Sequence, residues 1–237
     1  MSSTKNPGRI AGLLYVLTSF VGFFAMMYVP SKLMVHGNAA ATANNISAHE
    51  TLFRLSIAGQ LIGQAGFIFV ALALYHLFEG VSRRLGSLMV ILLVVQIPIA
   101  FLNEVNSIAA LALVRGADFL SVVEKPQREA LAMLFLNLHF HGFVVAEIFW
   151  GLWLFPLGLL VYRSGFLPRF LGVWLVIDGF AYVILSLTEV LSPQHYDKVS
   201  TYAQPALFGE VAFMLWLVIK GARPPVLDAT PLFSAVA

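Results

Sequence analysis

The sequence predicts an all-α protein: a polytopic membrane bundle of six transmembrane helices with both termini on the cytoplasmic side. Three observations lead there. The 237 residues are 59% hydrophobic and 11% charged, against about 25% charged in an average soluble domain. The mean hydropathy is +0.86. The apolar residues are also gathered into runs of the length, about 20 residues, that a helix needs to cross hydrocarbon. These runs are Ile10–Val29, Leu55–Phe78, Ser87–Val114, Gly142–Tyr162, Phe170–Leu191 and a shorter Ala206–Ile219 that extends at either end. They are solidly apolar rather than alternating, so helices, which satisfy every backbone group internally, are favoured over a barrel.

The breaks between runs agree with this division. Pro30-Ser31 closes the first and Ser82-Arg83-Arg84-Leu85-Gly86 parts the second from the third. Arg163–Arg169 parts the fourth from the fifth, Ser192-Pro193 ends the fifth, and Pro224-Pro225 follows the sixth. Glu129–His141 reads as an interfacial helix or as an outward extension of span four. Six is the working count, with seven the alternative. Residues 1–237 form a single membrane domain. The first run is too long for the h-region of a signal peptide, about 7–15 residues, and is expected to remain as a span.

Basic residues set the direction. Lys5, Arg9, Arg83, Arg84, Arg163, Arg169, Lys220 and Arg223 fall on one side, in short loops. Lys32, Arg54, Arg115, Lys125, Arg128 and Lys198 fall on the other, in longer loops that also carry acids. The first side is the expected cytoplasmic one. The host is the cell membrane, and the bilayer is the first partner.

Composition excludes several functions. There are 14 Lys and Arg against 12 Asp and Glu, a net charge of +2 without a basic run, so nucleic acid is not an expected partner. There is no Cys, which removes disulfides, thiolate metal sites and Cys nucleophiles.

The informative residues are the acids inside the spans, since intramembrane charges face an interior or a water-filled cavity. Glu104, Glu147, Asp178, Glu189 and Glu210 lie there with no Lys or Arg at their depth. At about 1.5 Å per residue, Asp178 stands about 14 Å above Arg169, Glu210 about 15 Å above Lys220 and Glu147 about 24 Å above Arg163. Glu104, Gln60 and Gln64 reach comparable heights. The polar groups thus favour the middle and outer half, and the inner half is apolar, with His76 near its edge. Residues one turn apart share a face, which aligns Asp178, Tyr182 and Glu189, aligns Gln96, Asn103 and Asn106, and pairs Gln60 with Gln64 and Asn137 with His141. Pro98 and Pro156 are expected to kink spans three and four.

These stripes predict one shared chamber. An ionised carboxylate without a counter-charge is costly at low dielectric, so a buried acid there is a natural proton or hydrogen-bond donor. Glu147 and Glu104 are the expected acid–base pair, with Asp178 and Glu210 as second acid or relay. Asn103 and Gln64 would orient a substrate. His141, Trp150, Trp153 and Tyr182 complete the candidate binding residues. Plainer readings stand beside these. Glu189 suits interfacial water, the amides suit interhelical hydrogen bonds, and the tryptophans suit packing. His139 and His141 point about 200° apart on a helix and cannot grip one metal. No metal and no cofactor are expected.

Arg9–Tyr15, Leu102-Asn103-Glu104, Ala146–Gly158 and Arg163–Gly172 carry a resemblance to a bacterial membrane family known as domain of unknown function 4386. The resemblance runs from about Arg9 to Lys220. It implies a fold of six or seven helices and no activity, substrate or cofactor. Three functions follow from the residues. The first is an intramembrane acid–base enzyme, such as a cyclase or isomerase, on a lipid-like or isoprenoid-like substrate. The second is a small proton-coupled transporter, which oligomerisation would enlarge. The third is a membrane protein that binds a small hydrophobic ligand without turnover.

Overall fold

The computed structural model describes residues 6–224, so Lys5 and Pro225 lie outside the described residues. It is all-helical, with no strand among those residues. The elements are α1 (Pro7–Phe23), α2 (Val29–Leu33), α3 (Ala39–Ala48), α4 (Glu50–Phe78), α5 (Arg83–Arg115), α6 (Lys125–Arg163), α7 (Arg169–Leu191) and α8 (Tyr196–Ile219). Six stretches are long and apolar enough to cross a membrane: Pro7–Leu33, Glu50–Phe78, Arg83–Arg115, Lys125–Arg163, Arg169–Leu191 and Pro193–Ile219.

Most departures from the sequence boundaries lie at one end of the bundle. The first span does not stop at Pro30. Helix continues to Leu33 through a π-turn, Phe24–Tyr28, in which the Val29 N–H bonds to the Phe24 carbonyl. Proline offers no N–H and its ring presses on the preceding turn, and one residue of slippage upstream relieves both. Glu129–His141 is an outward extension of span four, because α6 is one helix of 39 residues, about 58 Å long. The long connection after span one holds α3, whose Asn38 side chain caps its first turn. The sixth span begins ten residues earlier than Ala206 and carries Pro205 in its interior. Helices α5 and α6 run unbroken through Pro98 and Pro156.

Each span packs against its neighbours in sequence, and α8 returns to α1, so the six close a ring. The closure is specific. The Asn6 side chain accepts from the Arg9 and Ala222 backbone N–H groups, and the Gly8 N–H donates to the Ala222 carbonyl. Both described ends therefore sit at one end of the bundle, called here the near end. The opposite, far end carries α3 and the extended tips of α4, α5 and α6. These bury a separate apolar cluster that includes Leu33, Ile46, Phe53, Leu111 and Leu136. Large apolar side chains such as Leu17, Phe20, Ile62, Phe69, Leu102 and Phe180 face outward, as a surface in lipid requires.

The α6–α7 seam has a strict register. Gly151 faces Gly179 and Gly158 faces Gly172. A Cβ on Gly172 would lie 2.6 Å from the Gly158 carbonyl oxygen, and one on Gly179 would lie 2.8 Å from that of Gly151. Small residues let backbones touch where no hydrophobic driving force separates helix from lipid. The two pairs step seven residues in opposite directions along antiparallel helices. Ten residues beyond Gly151 and Gly179 the same register sets His141 opposite Glu189.

Candidate functional site

On every span the buried stripe is apolar toward the near end and turns polar toward the far end. It passes from Ala11 to Tyr15 and Thr18 on α1, from Leu74 to Gln64 and Gln60 on α4, and from Leu93 to Gln96, Asn103 and Glu104 on α5. It passes from Leu154 to Glu147 on α6, from Leu175 to Asp178 on α7, and from Phe213 to Gly209 and half-buried Glu210 on α8. The inside of the ring is thus an apolar plug in its near half and polar above it, the distribution the sequence predicts. The polar groups nevertheless separate into distinct stations.

The deepest station joins α1, α7 and α8. Asp178 is 0% exposed. Its Oδ2 accepts from the Glu210 backbone N–H at 2.9 Å, and its Oδ1 has no partner. Gly209 allows the approach, since a Cβ there would lie 3.1 Å from Asp178 Oδ2. The Glu210 carboxylate accepts a short hydrogen bond from the Tyr15 hydroxyl. The Tyr15 ring, 1% exposed, is enclosed by Phe67, Trp153 and Phe213 at centroid distances of 5.8, 6.1 and 6.5 Å. Asp178 thus reaches the Glu210 backbone, and the Glu210 carboxylate turns to Tyr15, so polar contacts join three helices here.

One helical turn beyond Asp178 on α7, Tyr182 has Trp150 edge-on to it at 5.8 Å. Glu147 is buried and its Oε2 is unpartnered. Glu189 does not sit free in interfacial water. Its side chain is 10% exposed and meets His141 Nδ1 at 2.8 Å. His141 is drawn outward to that partner with its side chain 55% exposed, so it does not join Glu104 and Glu147.

The third station lies between α5 and α6. Glu104 Oε1 lies 3.6 Å from His139 Nε2. A histidine, rather than a Lys or Arg, thus stands beside this acid. His139 Nδ1 is 3.2 Å from the Asn103 carbonyl oxygen and 3.1 Å from Ser107 Oγ. A carbonyl only accepts, so Nδ1 carries a hydrogen and Nε2 is the atom turned to Glu104. Asn103 Nδ2 donates to the His139 carbonyl at 2.8 Å, and Asn106 donates to Asn103 Oδ1 at 3.1 Å. Asn103 is thus tied to α6 rather than free to orient a substrate. Gly142 leaves the room it occupies.

Gln64 and Gln60 are both buried on α4, each with one unpartnered amide atom, and Gln96 on α5 is in the same condition. Trp153 is buried against Tyr15. Buried polar atoms are nearly always satisfied; these atoms, with Glu104 Oε1, Glu147 Oε2 and Asp178 Oδ1, have no hydrogen-bond partner among the described residues. Two clefts open at the far end, one of about 190 Å³ between α3, α5 and α6 and one along α3 and the start of α4. Neither is lined by any of the ten candidate residues. Among the described residues, no three of His, Asp or Glu gather as a metal-binding group.

Sequence reasoning missed Tyr15 and Ser107 and ranked His139 below His141. The available signal for Tyr15 was its place one turn from Ala11 and three residues before Thr18, on the stripe of span one that faces inward.

Over residues 10–221 the chain matches the family described as Domain of unknown function (DUF4386). It is 30% identical over 164 residues to an uncharacterized protein of Archaeoglobus fulgidus, a stretch covering 68% of this chain and 81% of that one. No solved structure is a significant match. The matched region takes in all three stations, and the chain belongs to the DUF4386 family.

Proposed function

We propose that the protein is an intramembrane acid–base enzyme, a cyclase or isomerase of a lipid-like or isoprenoid-like substrate, with its reacting groups in the far half of the ring. The run of contacts from Asp178 to the Glu210 backbone, and from the Glu210 carboxylate to the Tyr15 hydroxyl, carries this reading. On this reading Asp178 and Glu210, the second acid and relay of the sequence expectation, act as the acid–base pair in place of Glu147 and Glu104, with Glu147 next along the face through Tyr182. One carboxyl gives its proton to an alkene carbon. The resulting cation closes a ring or shifts, then loses a proton to the second group as carboxylate, so the reaction is a net isomerisation. The rings of Tyr15, Trp150, Trp153 and Tyr182 supply the π faces that steady a cation. The basic residues of the near-end loops support a cytoplasmic position for that end, with the bacterial cell membrane as the proposed host.

A proton-coupled transporter is the alternative, favoured by the mid-bilayer height of Asp178 and Glu210, where coupling sites lie. The apolar plug beneath them and the outward, exposed position of His76 weigh toward a site closed on the near side. The test is lipid extract presented to the chain in nanodiscs in deuterated water. An enzyme leaves deuterium in an isomerised lipid, and Asp178→Asn and Glu210→Gln abolish the label while keeping the wild-type yield. Absence of label in wild type, with proton flux into proteoliposomes, overturns the enzyme in favour of transport.

A further inference from the structure

We propose that the far end carries a second binding site, for an oxyanion, in the 190 Å³ cleft between α3, α5 and α6. Its walls are Ala43, Leu113 and Val114 on the apolar side and Asn44, Ser47, Lys125, Arg128 and Glu129 on the polar side. The charges are unequal in their commitments. Lys125 and Glu129 form an i,i+4 pair at 3.7 Å. The Arg128 side chain makes no ion pair or hydrogen bond among the described residues, and its Nε is buried without an acceptor.

An enclosed guanidinium N–H without a partner costs free energy, and the planar fork matches a carboxylate or phosphate by two parallel bonds. Arg128 is also held in place. Gly116, with a left-handed φ of 65° that suits glycine, leaves the space the guanidinium fills, and a Cβ there would collide with it. Asn44 and Ser47 add short polar side chains on the opposite wall, and Leu113 and Val114 suit an apolar body attached to the oxyanion.

Position narrows the source. Arg128 lies about 52 Å along α6 from Arg163, while a bilayer with its headgroups is about 40–45 Å thick. The cleft therefore stands at or beyond the far headgroup layer, within reach of a soluble phosphate or carboxylate and of an anionic headgroup.

The experiment uses the full chain in detergent, titrated with inorganic phosphate, acetate and, as a control, chloride, with binding read by calorimetry. Phosphate or acetate should bind and Arg128→Gln should weaken the binding about tenfold or more. Gly116→Ala, which leaves every charge in place but displaces the guanidinium, should weaken it too, while Arg84→Gln at the other end should not. A parallel arm compares nanodiscs of phosphatidylcholine with and without phosphatidylglycerol. Tighter phosphate binding without phosphatidylglycerol than with it identifies the headgroup as the natural occupant, and equal binding identifies a soluble anion. Wild type that binds neither anion, or equal affinity in Arg128→Gln with an unchanged melting temperature, overturns the proposal.

Discussion

Alanine at Gly172 tests the seam that sets the register of α6 against α7. The added Cβ would stand 2.6 Å from the Gly158 carbonyl oxygen and 2.7 Å from the Tyr162 nitrogen, about 0.8 Å short of the 3.4 Å at which ordinary contact begins. Both obstacles are backbone, so no side chain can rotate away, and the helices must part. Overpacking of this kind costs about 1–3 kcal/mol. Alanine also gains about 1 kcal/mol of helix propensity over glycine, so the comparison must cancel that gain. Gly22→Ala on α1 does so, because a Cβ there meets nothing within 4 Å. The expected result is a melting temperature for Gly172→Ala below that of Gly22→Ala by about 2–12 °C, at about 2–4 °C per kcal/mol for a chain of this size. Tryptophan fluorescence during heating in nanodiscs reads it. Equal melting of the two variants would show that the glycine seam does not hold the helices, and the register argument for His141 and Glu189 would go with it.

Tyr15→Phe removes the hydroxyl that donates to Glu210 and should cost about 0.5–1.5 kcal/mol; adding Glu210→Gln should cost less than the sum of the two, as groups in direct contact do, in a double-mutant cycle read by denaturation. His141→Ala and Glu189→Gln should couple by no more than about 1 kcal/mol, because half of the His141 side chain is in solvent; a larger coupling in the same kind of cycle would show that the pair is screened from water. Asn6→Ala should cost about 1 kcal/mol for the lost cap, with faster hydrogen exchange at Arg9 and Ala222, whose N–H groups the Asn6 side chain accepts; unchanged exchange at Ala222 would show that the ring closes without it.

Hydropathy alone determined much of this protein. Six apolar runs gave six spans and an even count that returns both described ends to one side, and the height of each acid followed from its distance along a helix. The polar face toward the far half was legible for the same reason, since residues one turn apart share a face wherever the helix is placed. Neighbours were not legible. That Glu104 meets His139, that Glu210 meets Tyr15 and that His141 turns out to Glu189 depend on which helices adjoin and in what register. Those relations are decided by contacts between residues far apart in the chain, such as Gly158 against Gly172 and Gly8 against Ala222. A single span fixes depth along its own axis, but only the packed ring fixes rotation about that axis, and rotation is what brings two buried polar groups within bonding distance.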